Sequence, residues 1–230
     1  MNSLDLYSII EHHLDFSEEI GELYGFYKEF TKENNIKSLI DIGCGQGEFL
    51  LSLDKSISTF GIDLSNEQIK VCQEKGLNVK AIDIADVDTK YAMATAVFDV
   101  LNYLDTPPLK LFIENTAKVL EKDGYFLFDI NTLYGFEDIA QGSLNIDLKD
   151  EFIAIDAIFE DSKLFTTINY FKNIQDSYTR EKNTITQYYH SKDRIKKLLN
   201  KSNFKVESII DFHLHDEQIA DKYIFIAKKM

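Results

Sequence analysis

Apolar residues recur along this chain at two different spacings. Between residues 4 and 34 they lie three or four positions apart, which predicts two helices separated near residues 15–17. Farther on, short β-branched and apolar runs alternate with stretches of helical spacing. The predicted strands are residues 38–42, 59–62, 78–82, 92–98 and 125–130, and the helices between them are residues 48–53, 66–75 and 108–120. Strands that alternate with helices predict a parallel sheet joined by right-handed crossovers.

Residues at the ends of these helices support their assignment. Ser65 stands where its side chain can cap the second helix. Pro108 opens the third helix, where its missing N–H costs nothing. Gly76 and Gly124 follow the second and third helices, where a left-handed residue can close the last turn.

The pattern changes after Asn131. Three alternating or aromatic-rich runs follow without a helix between them, which predicts antiparallel strands. These runs are residues 152–159, 164–171 and 177–189, and a helix at residues 191–201 and a strand pair at residues 205–212 and 222–228 come after them. The sequence therefore predicts an α/β fold with helices before a mostly parallel sheet and a small antiparallel insertion. The corresponding division is a helical cap at residues 1–34, a core at residues 35–135 and 191–230, and the insertion at residues 136–190.

The segment most informative about function is residues 39–50. It is an apolar strand followed by glycines at three alternate positions and then by a helix. Glycines at such a turn let the backbone bend tightly and let a ligand lie against it. A dinucleotide-binding turn would need its third glycine at the position of Glu48, and no Gly-Lys-Ser/Thr of a phosphate loop follows. Glu48 already places negative charge at the helix N-terminus, so the turn suits a ligand that is not a polyanion. S-adenosylmethionine, with a sulfonium, an ammonium and one carboxylate, is such a ligand.

Acidic residues stand at the ends of three successive predicted strands. Asp41 can hold the ammonium of S-adenosylmethionine, or it can merely cap the loop that follows. Asp63 lies about 20 residues after the first glycine, where a carboxylate can accept from both ribose hydroxyls. Asp83 can accept from the adenine amine, with Leu64 and Ile84 on the two faces of the ring.

From Asp41 through Asn131 these motifs stand in the order found in class I S-adenosylmethionine-dependent methyltransferases, which the chain resembles. Residues 98–104, Phe-Asp-Val-Leu-Asn-Tyr-Leu, and residues 128–132, Phe-Asp-Ile-Asn-Thr, resemble a bacterial small-molecule subgroup with an antiparallel insertion after the fifth strand. The resemblance implies a Rossmann-like, seven-stranded, mostly parallel sheet. It also implies that the N-terminal helices and the insertion form a lid over the acceptor.

The chain departs from this subgroup at two places. Tyr91-Ala92 stands where relatives begin the fourth strand with Phe-Asp, and Asn183-Thr184-Ile185 stands where relatives often have Glu-x-His. The acceptor chemistry of the subgroup is therefore not carried over to this chain.

The residues expected at the site come from these motifs and from the tips of the predicted strands. Those expected to bind the cofactor are Asp41, Gly43, Cys44, Gly45, Gly47, Asp63, Leu64, Asp83, Ile84 and Phe98. Those expected to bind the acceptor are Asp99, Asn102, Tyr103, Asn131 and Tyr170, and the candidates for a catalytic group are Asp99, Tyr103 and His190. Cys44 is expected to contribute only backbone contact. Asn102 and Tyr103 can instead open the next turn, and Tyr170 can instead be sheet packing.

Composition narrows the partners of the protein. The 230 residues include 25 Lys+Arg and 39 Asp+Glu, a formal charge of −14, which disfavours a nucleic-acid substrate. The 2 cysteines and 5 histidines show no metal-ligand spacing, so no metal is expected. The sequence shows no signal peptide and no apolar run of about 18 residues, so a cytoplasmic protein without a membrane partner is expected. A homodimer is left open.

The predicted function is transfer of a methyl group from S-adenosylmethionine to nitrogen or oxygen of a small-molecule acceptor. A direct in-line displacement needs alignment and exclusion of water but no protein nucleophile. Two alternatives stay open, namely another S-adenosylmethionine-based transfer on the same scaffold and a non-catalytic S-adenosylmethionine-binding or partner subunit. The missing acid at Ala92 favours the second alternative.

Overall fold

The computed structural model describes residues 3–10, 13–14, 17–175, 177–215 and 218–230. Its helices are α1 (Ser3–Ile10), α2 (Ser17–Glu33), α3 (Glu48–Ser52), α4 (Asn66–Glu74), α5 (Thr106–Lys118) and α6 (Lys192–Lys201). Its strands are β1 (Ser38–Ile42), β2 (Ser58–Asp63), β3 (Val79–Ala81), β4 (Tyr91–Ala96), β5 (Leu120–Asn131), β6 (Gly142–Asp147), β7 (Glu151–Glu160), β8 (Lys163–Ile174), β9 (Ser177–Tyr188), β10 (Phe204–Phe212) and β11 (Lys222–Lys229). Of the break predicted near residues 15–17, Asp15 and Phe16 lie outside the described residues, and Ser17 is the first residue of α2.

The larger sheet in the described part of the chain has seven strands in the order β10-β11-β5-β4-β1-β2-β3. The pairs β1–β2, β1–β4, β2–β3 and β4–β5 are parallel, whereas β5–β11 and β10–β11 are antiparallel. The predicted α/β fold with a mostly parallel sheet is confirmed. The strand order reverses between β1 and β4, so a crevice opens there at the carboxyl ends of the strands, where open α/β sheets bind ligands.

The central strand β1 is buried on both faces. Leu39 packs with Leu23 of α2 and Ile69 of α4 on one face, while Ile40 packs with Ile113 of α5 on the other. Helices therefore cover the sheet on two sides. This explains why the central strands have nearly continuous apolar sequences, without the alternation of a half-exposed strand.

A second sheet contains β6-β7-β8-β9, all paired antiparallel. α1 packs on this sheet rather than on the larger one. Leu6 and Ile10 of α1 are buried together with Ile153, Ile168 and Ile185 of the sheet. The first helix of the chain and the inserted sheet thus share one apolar cluster.

The prediction that Gly124 ends a helix is wrong. α5 ends and β5 begins before it, and Asp123 and Gly124 lie where the register between β4 and β5 shifts. Asp123 has a φ of 62°, and a Cβ on Gly124 would approach the carbonyl oxygen of Ala92 to 3.1 Å. The glycine therefore serves an irregularity inside a strand, where the neighbouring backbone comes close.

Three local features were not predicted. β6 has mostly exposed residues, so it lacks the alternation that marks a half-buried strand. A π-helical turn at Gly135–Ala140 precedes it. β4 ends at Ala96, and the following residues Phe98 and Asp99 have positive φ of 63° and 49°. Among the described helices, none is long and apolar enough to cross a membrane.

Candidate functional site

The glycine turn between β1 and α3 is packed on one side and open on the other. The Gly43 N–H donates to the Ile62 carbonyl at 2.8 Å, which ties the turn to the tip of β2. Gly47 has a φ of 79°, and a Cβ there would overlap the Leu77 side chain. Gly45 has a φ of 51°, but a Cβ there would meet no atom within 4 Å. The Gly45 side of the turn is therefore accessible to a ligand.

Asp63 lies at the tip of β2 beside this turn. One carboxylate oxygen accepts from the Gly45 N–H at 3.0 Å and the other from the Ser65 N–H at 2.8 Å. A carboxylate has about four acceptor positions, so two remain for ribose hydroxyls. The predicted cap at Ser65 is confirmed, because its side chain accepts from the Gln68 N–H at 3.3 Å.

The residues expected around adenine follow the next strand. Asp83 is exposed, and its carboxylate accepts from the Ala85 N–H at 2.8 Å. Leu64 is 66% exposed and can lie on a ring, whereas Ile84 is 4% exposed and packs in the core. Ile84 therefore offers less surface to a ligand than the sequence suggested.

Asp41 lies beneath the turn rather than on its surface. It is 2% exposed, and its Oδ1 accepts from the Thr95 hydroxyl at 2.7 Å. Burial raises the pKa of Asp41 from 3.8 to about 7, against the hydrogen bond from Thr95, which lowers it. A nearby cation such as the ammonium of a ligand would favour the charged form.

The raised pKa of Asp41 predicts a pH-dependent stability. Between the unfolded value of 3.8 and the folded value of about 7, the folded protein binds more protons, so the contribution of Asp41 to stability falls as pH rises through this window. Asp41→Asn should therefore become more stable relative to the wild type, by on the order of 2–4 kcal/mol, between about pH 4 and pH 7.5. Urea unfolding of both proteins across this range measures the difference. A difference that stays constant with pH would contradict the expectation.

The two cysteines lie under the glycine turn. Cys72 Sγ donates to the Gly45 carbonyl at 3.1 Å. Contact with Cys72 and burial raise the pKa of the Cys44 thiol. A nucleophilic cysteine needs a lowered pKa, so the geometry supports no chemistry for Cys44 beyond contact.

Buried charges meet at the tips of β4, β5 and β11. Lys222 donates to Asp99, to Asp129 Oδ2 at 3.0 Å and to Asn131 Oδ1 at 2.9 Å. Asp129 is fully buried and also accepts from the backbone N–H groups of Phe98 at 2.8 Å and Asp99 at 3.0 Å. Asp99, Asp129 and Lys222 are called the charge cluster below.

The charge cluster is held together by electrostatics. Burial would lower the pKa of Lys222, but attraction to Asp99 and Asp129 outweighs it and the pKa is raised. Burial raises the pKa of Asp129, which the charge of Lys222 opposes. Tyr27 of α2 adds a hydroxyl donor to Asp129 at 3.1 Å. The two carboxylates therefore favour the charged form of Lys222.

Sequence reasoning missed Lys222 and did not assign Asp129 to the site. The available signal was a charged residue inside or next to an apolar strand, because such a residue is seldom buried without a partner. The pairing itself was not visible, since the two residues are 93 positions apart.

Asn102 is placed differently from the prediction. It has no exposed surface, its amide donates to the Tyr188 carbonyl at 2.8 Å, and its carbonyl accepts from the Asn131 N–H at 3.0 Å. These contacts join the turn after β4 to β5 and to the last strand of the second sheet. Asn102 therefore holds the walls of the site together and is not free to bind an acceptor.

The other predicted acceptor-side residues are divided between the cleft and the core. Tyr103 is partly buried and packs against the apolar cluster that α1 and the second sheet share. Tyr170 is 6% exposed, and its hydroxyl donates to Glu151 at 2.7 Å. His190 is 1% exposed, its ring bonds the Leu104 carbonyl at 2.9 Å, and burial lowers its pKa. His190 thus has no face from which it could take a proton from a ligand.

α1 lies against the glycine turn and the start of α4. The Ser65 hydroxyl donates to Asp5 at 2.7 Å, and the Gln46 side-chain amide donates to the Ser8 carbonyl at 3.3 Å. These contacts come from residues on either side of Asp63. α1 therefore lies where it can cover a ligand bound to the turn.

The site fits S-adenosylmethionine. The open side of Gly45 leaves room for a ligand against the backbone, and Asp63 beside it keeps two acceptor positions. Asp99 and Asn131 lie at the tips of the neighbouring strands β4 and β5. Within the described part of the chain, no group of three or more His, Cys, Asp and Glu side chains is placed to hold a metal ion.

Comparison with known proteins agrees with this geometry. A protein of Geobacillus sp. (strain WCH70), provisionally named a methyltransferase, is 25% identical over 211 residues, covering 84% of this chain and 85% of that protein. An S-adenosylmethionine-dependent methyltransferase from Clostridium acetobutylicum ATCC 824 has a similar structure, with a TM-score of 0.79, 23% identity and coverage of 98% of this chain and 97% of that chain. A sugar N-methyltransferase from Streptoalloteichus sp ATCC 53650 has a TM-score of 0.76, 16% identity and coverage of 99% and 93%.

A family model described as a methyltransferase domain matches residues 15–209. The match includes the glycine turn, the three strand-tip acids and the second sheet. The chain therefore belongs to the methyltransferase domain family and is, as the sequence predicts, a class I S-adenosylmethionine-dependent methyltransferase.

Proposed function

We propose that the chain methylates a small molecule at nitrogen or oxygen, with an amine favoured. The observation that carries this proposal is the arrangement of acids along one edge of the sheet. Asp63 lies at the tip of β2, beside the open glycine turn. Asp99 follows β4, on the other side of the point where the strand order reverses. One edge thus offers a cofactor side and an acceptor side next to each other.

The residues of the cofactor side have separate roles in this proposal. Asp63 accepts from the ribose hydroxyls, Asp83 accepts from the adenine amine, and Leu64 covers the ring. Asp41 acts from beneath the turn by attracting the ammonium. Phe98 lies near α2, where the centre of its ring is 5.9 Å from the centre of the Tyr24 ring. When bound, S-adenosylmethionine supplies a methyl group on a sulfonium, which an acceptor displaces in line without a protein nucleophile.

The lid in this proposal is made of the N-terminal helices and residues 136–190. α1 supports this assignment, because it contacts both the glycine turn through Gln46 and the second sheet through Leu6. Asn102 ties that sheet to the turn after β4 through Tyr188. A lid attached at both walls can exclude water and hold the acceptor next to the methyl group.

An amine acceptor is favoured by charge. The formal charge of −14 attracts cationic molecules and repels nucleic acid. One solved structure with this fold is named a sugar N-methyltransferase, and methyl transfer to nitrogen fits the same expectation.

The cofactor is tested first by ligand-dependent melting. S-adenosylmethionine and S-adenosylhomocysteine at about 100 times their Kd should add about 2.7 kcal/mol of stability, while NAD should add none, because only a ligand of the native state stabilises it. A larger stabilisation by NAD would contradict the assignment of S-adenosylmethionine as the cofactor.

The acceptor is then tested with S-adenosylmethionine and defined amines, amino sugars, alcohols and transfer RNA, followed by mass spectrometry. The expected result is an amine product 14 mass units heavier together with S-adenosylhomocysteine. Methylated RNA would contradict the small-molecule proposal. Binding of the cofactor without turnover on any of these would favour a non-catalytic binding subunit.

A further inference from the structure

The charge cluster holds two carboxylates, but only one of them reaches the cleft. Asp129 is fully buried and is surrounded by donors from Tyr27, Phe98 and Lys222. The side chain of Asp99 is 16% exposed. A ligand on the acceptor side can therefore meet the carboxylate of Asp99 but not that of Asp129.

Two side chains from distant parts of the chain fix the carboxylate of Asp99. Lys222 of β11 donates to Oδ1, and Gln187 of β9 donates to Oδ2 at 2.9 Å. Gln187 is 8% exposed, so this contact is sheltered from water. Each carboxylate oxygen has a second acceptor position, which leaves Asp99 able to accept from a ligand.

The backbone of Asp99 is fixed as well. Its φ of 49° lies in the left-handed region, which a residue with a side chain seldom adopts. The N–H groups of Phe98 and Asp99 both donate to Asp129, which keeps the two residues in this conformation. The direction of the Asp99 carboxylate is thus set from both its backbone and its side chain.

The charged groups of the charge cluster do not cancel each other. Two carboxylates face one lysine, so the charge cluster carries one net negative charge next to the cleft when all three groups are ionised. Such a site attracts a group with positive charge or N–H donors and disfavours an anionic one.

We propose that Asp99 faces the transferred methyl group and selects an amine acceptor, and that Lys222 and Gln187 are positioning residues that aim its carboxylate. This inference rests on the proposed function, because it assumes that the cofactor lies against the glycine turn. It adds Lys222 and Gln187, neither of which the sequence analysis assigned to the site. It also links acceptor selection to the second sheet, since Gln187 belongs to that sheet.

A pair of cofactor analogues tests the inference without knowledge of the acceptor. Sinefungin carries an amine at the position of the transferred methyl group, and S-adenosylhomocysteine carries nothing there. Calorimetry of both gives a selectivity ratio, the Kd of S-adenosylhomocysteine divided by that of sinefungin. The two ligands share their adenosine and amino-acid parts and differ only where an amine-bearing carbon replaces the sulfur. A variant that only loosens the fold or the cofactor pocket therefore changes both affinities and leaves the ratio unchanged.

We expect the wild type to prefer sinefungin. Asp99→Asn should lower the selectivity ratio about 10-fold, the scale of a hydrogen bond to a charged group. Gln187→Leu, and Lys222→Arg, which keeps the charge but changes its geometry, should each lower the ratio about 3-fold. The matched control is Thr184→Val on the same strand as Gln187, whose hydroxyl meets Thr167 on the exposed side at 3.1 Å. It should leave the ratio unchanged.

The outcomes separate this inference from the proposed function. If both analogues bind and Asp99→Asn keeps the wild-type ratio, the role of Asp99 is wrong while the cofactor site stands. If Asp99→Asn lowers the ratio but Gln187→Leu and Lys222→Arg do not, the positioning roles are wrong. If neither analogue binds the wild type, the proposed function fails and this inference fails with it.

Discussion

Lys222→Met should lower the free energy of unfolding by about 3–5 kcal/mol, the range for breaking a buried ion pair by removing one partner. Methionine fills a similar volume but leaves Asp129 and Asp99 without their shared cation. Asp129 has no exposed surface on which water could replace it. The loss should be larger at pH 8 than at pH 5, because a proton can neutralise a buried carboxylate at the lower pH.

Urea unfolding at both pH values measures this effect. Lys228→Met is the matched control, since Lys228 lies on the same strand, is partly exposed and has its ammonium 5.1 Å from the centre of the Tyr125 ring. The control should change the stability by less than about 1 kcal/mol. An equally small effect of Lys222→Met would show that the charge cluster contributes little to folding.

Asp63→Ala should weaken the binding of S-adenosylhomocysteine by about 1.5–3 kcal/mol, or roughly 10- to 150-fold. The variant removes the acceptor for the ribose hydroxyls. It also removes the acceptor of the Gly45 N–H, so the glycine turn becomes less well held. Calorimetry gives the affinity, and thermal unfolding without ligand shows whether the variant is folded.

Asp54→Ala is the control for this substitution. Asp54 accepts from the Ser56 N–H at 2.8 Å, two residues ahead, just as Asp63 accepts from the Ser65 N–H. It precedes β2, whereas Asp63 ends it, so the two acids lie at opposite ends of one strand. If Asp54→Ala keeps the affinity and Asp63→Ala loses it, the effect comes from the place of Asp63 at the tip of β2. It does not come from losing a carboxylate that accepts from the backbone two residues ahead. Equal affinities in folded variants would remove Asp63 from the site.

The fold of the core was predictable because its signals are local. The apolar run at residues 38–42 and the spacing of the helix after Ser65 each lie within a dozen residues. The glycine turn was predictable for the same reason, since three glycines at alternate positions after a strand disfavour a regular helix or strand and indicate a turn. Acids at strand tips could be placed together, because parallel strands bring their carboxyl ends to one edge.

The rest of the site depends on contacts between distant residues. Lys222 lies 93 positions from Asp129 and 123 from Asp99, and no local pattern reports such a pairing. Asn102 looks like a polar residue at a strand tip, and only its complete burial shows that its amide is already used. Gly124 was misread because the sequence Asp-Gly is compatible with both a helix end and a strand irregularity.

The position of α1 has a kinetic consequence. A helix of eight residues is not stable alone in water, so α1 keeps its structure through its contacts with the second sheet and the glycine turn. In the proposed lid a bound ligand lies beneath α1, so we expect its release to break these contacts, which are also what holds the helix together. We therefore expect spent cofactor to exchange through local unfolding and refolding of α1, rather than through a rigid-body movement of the helix.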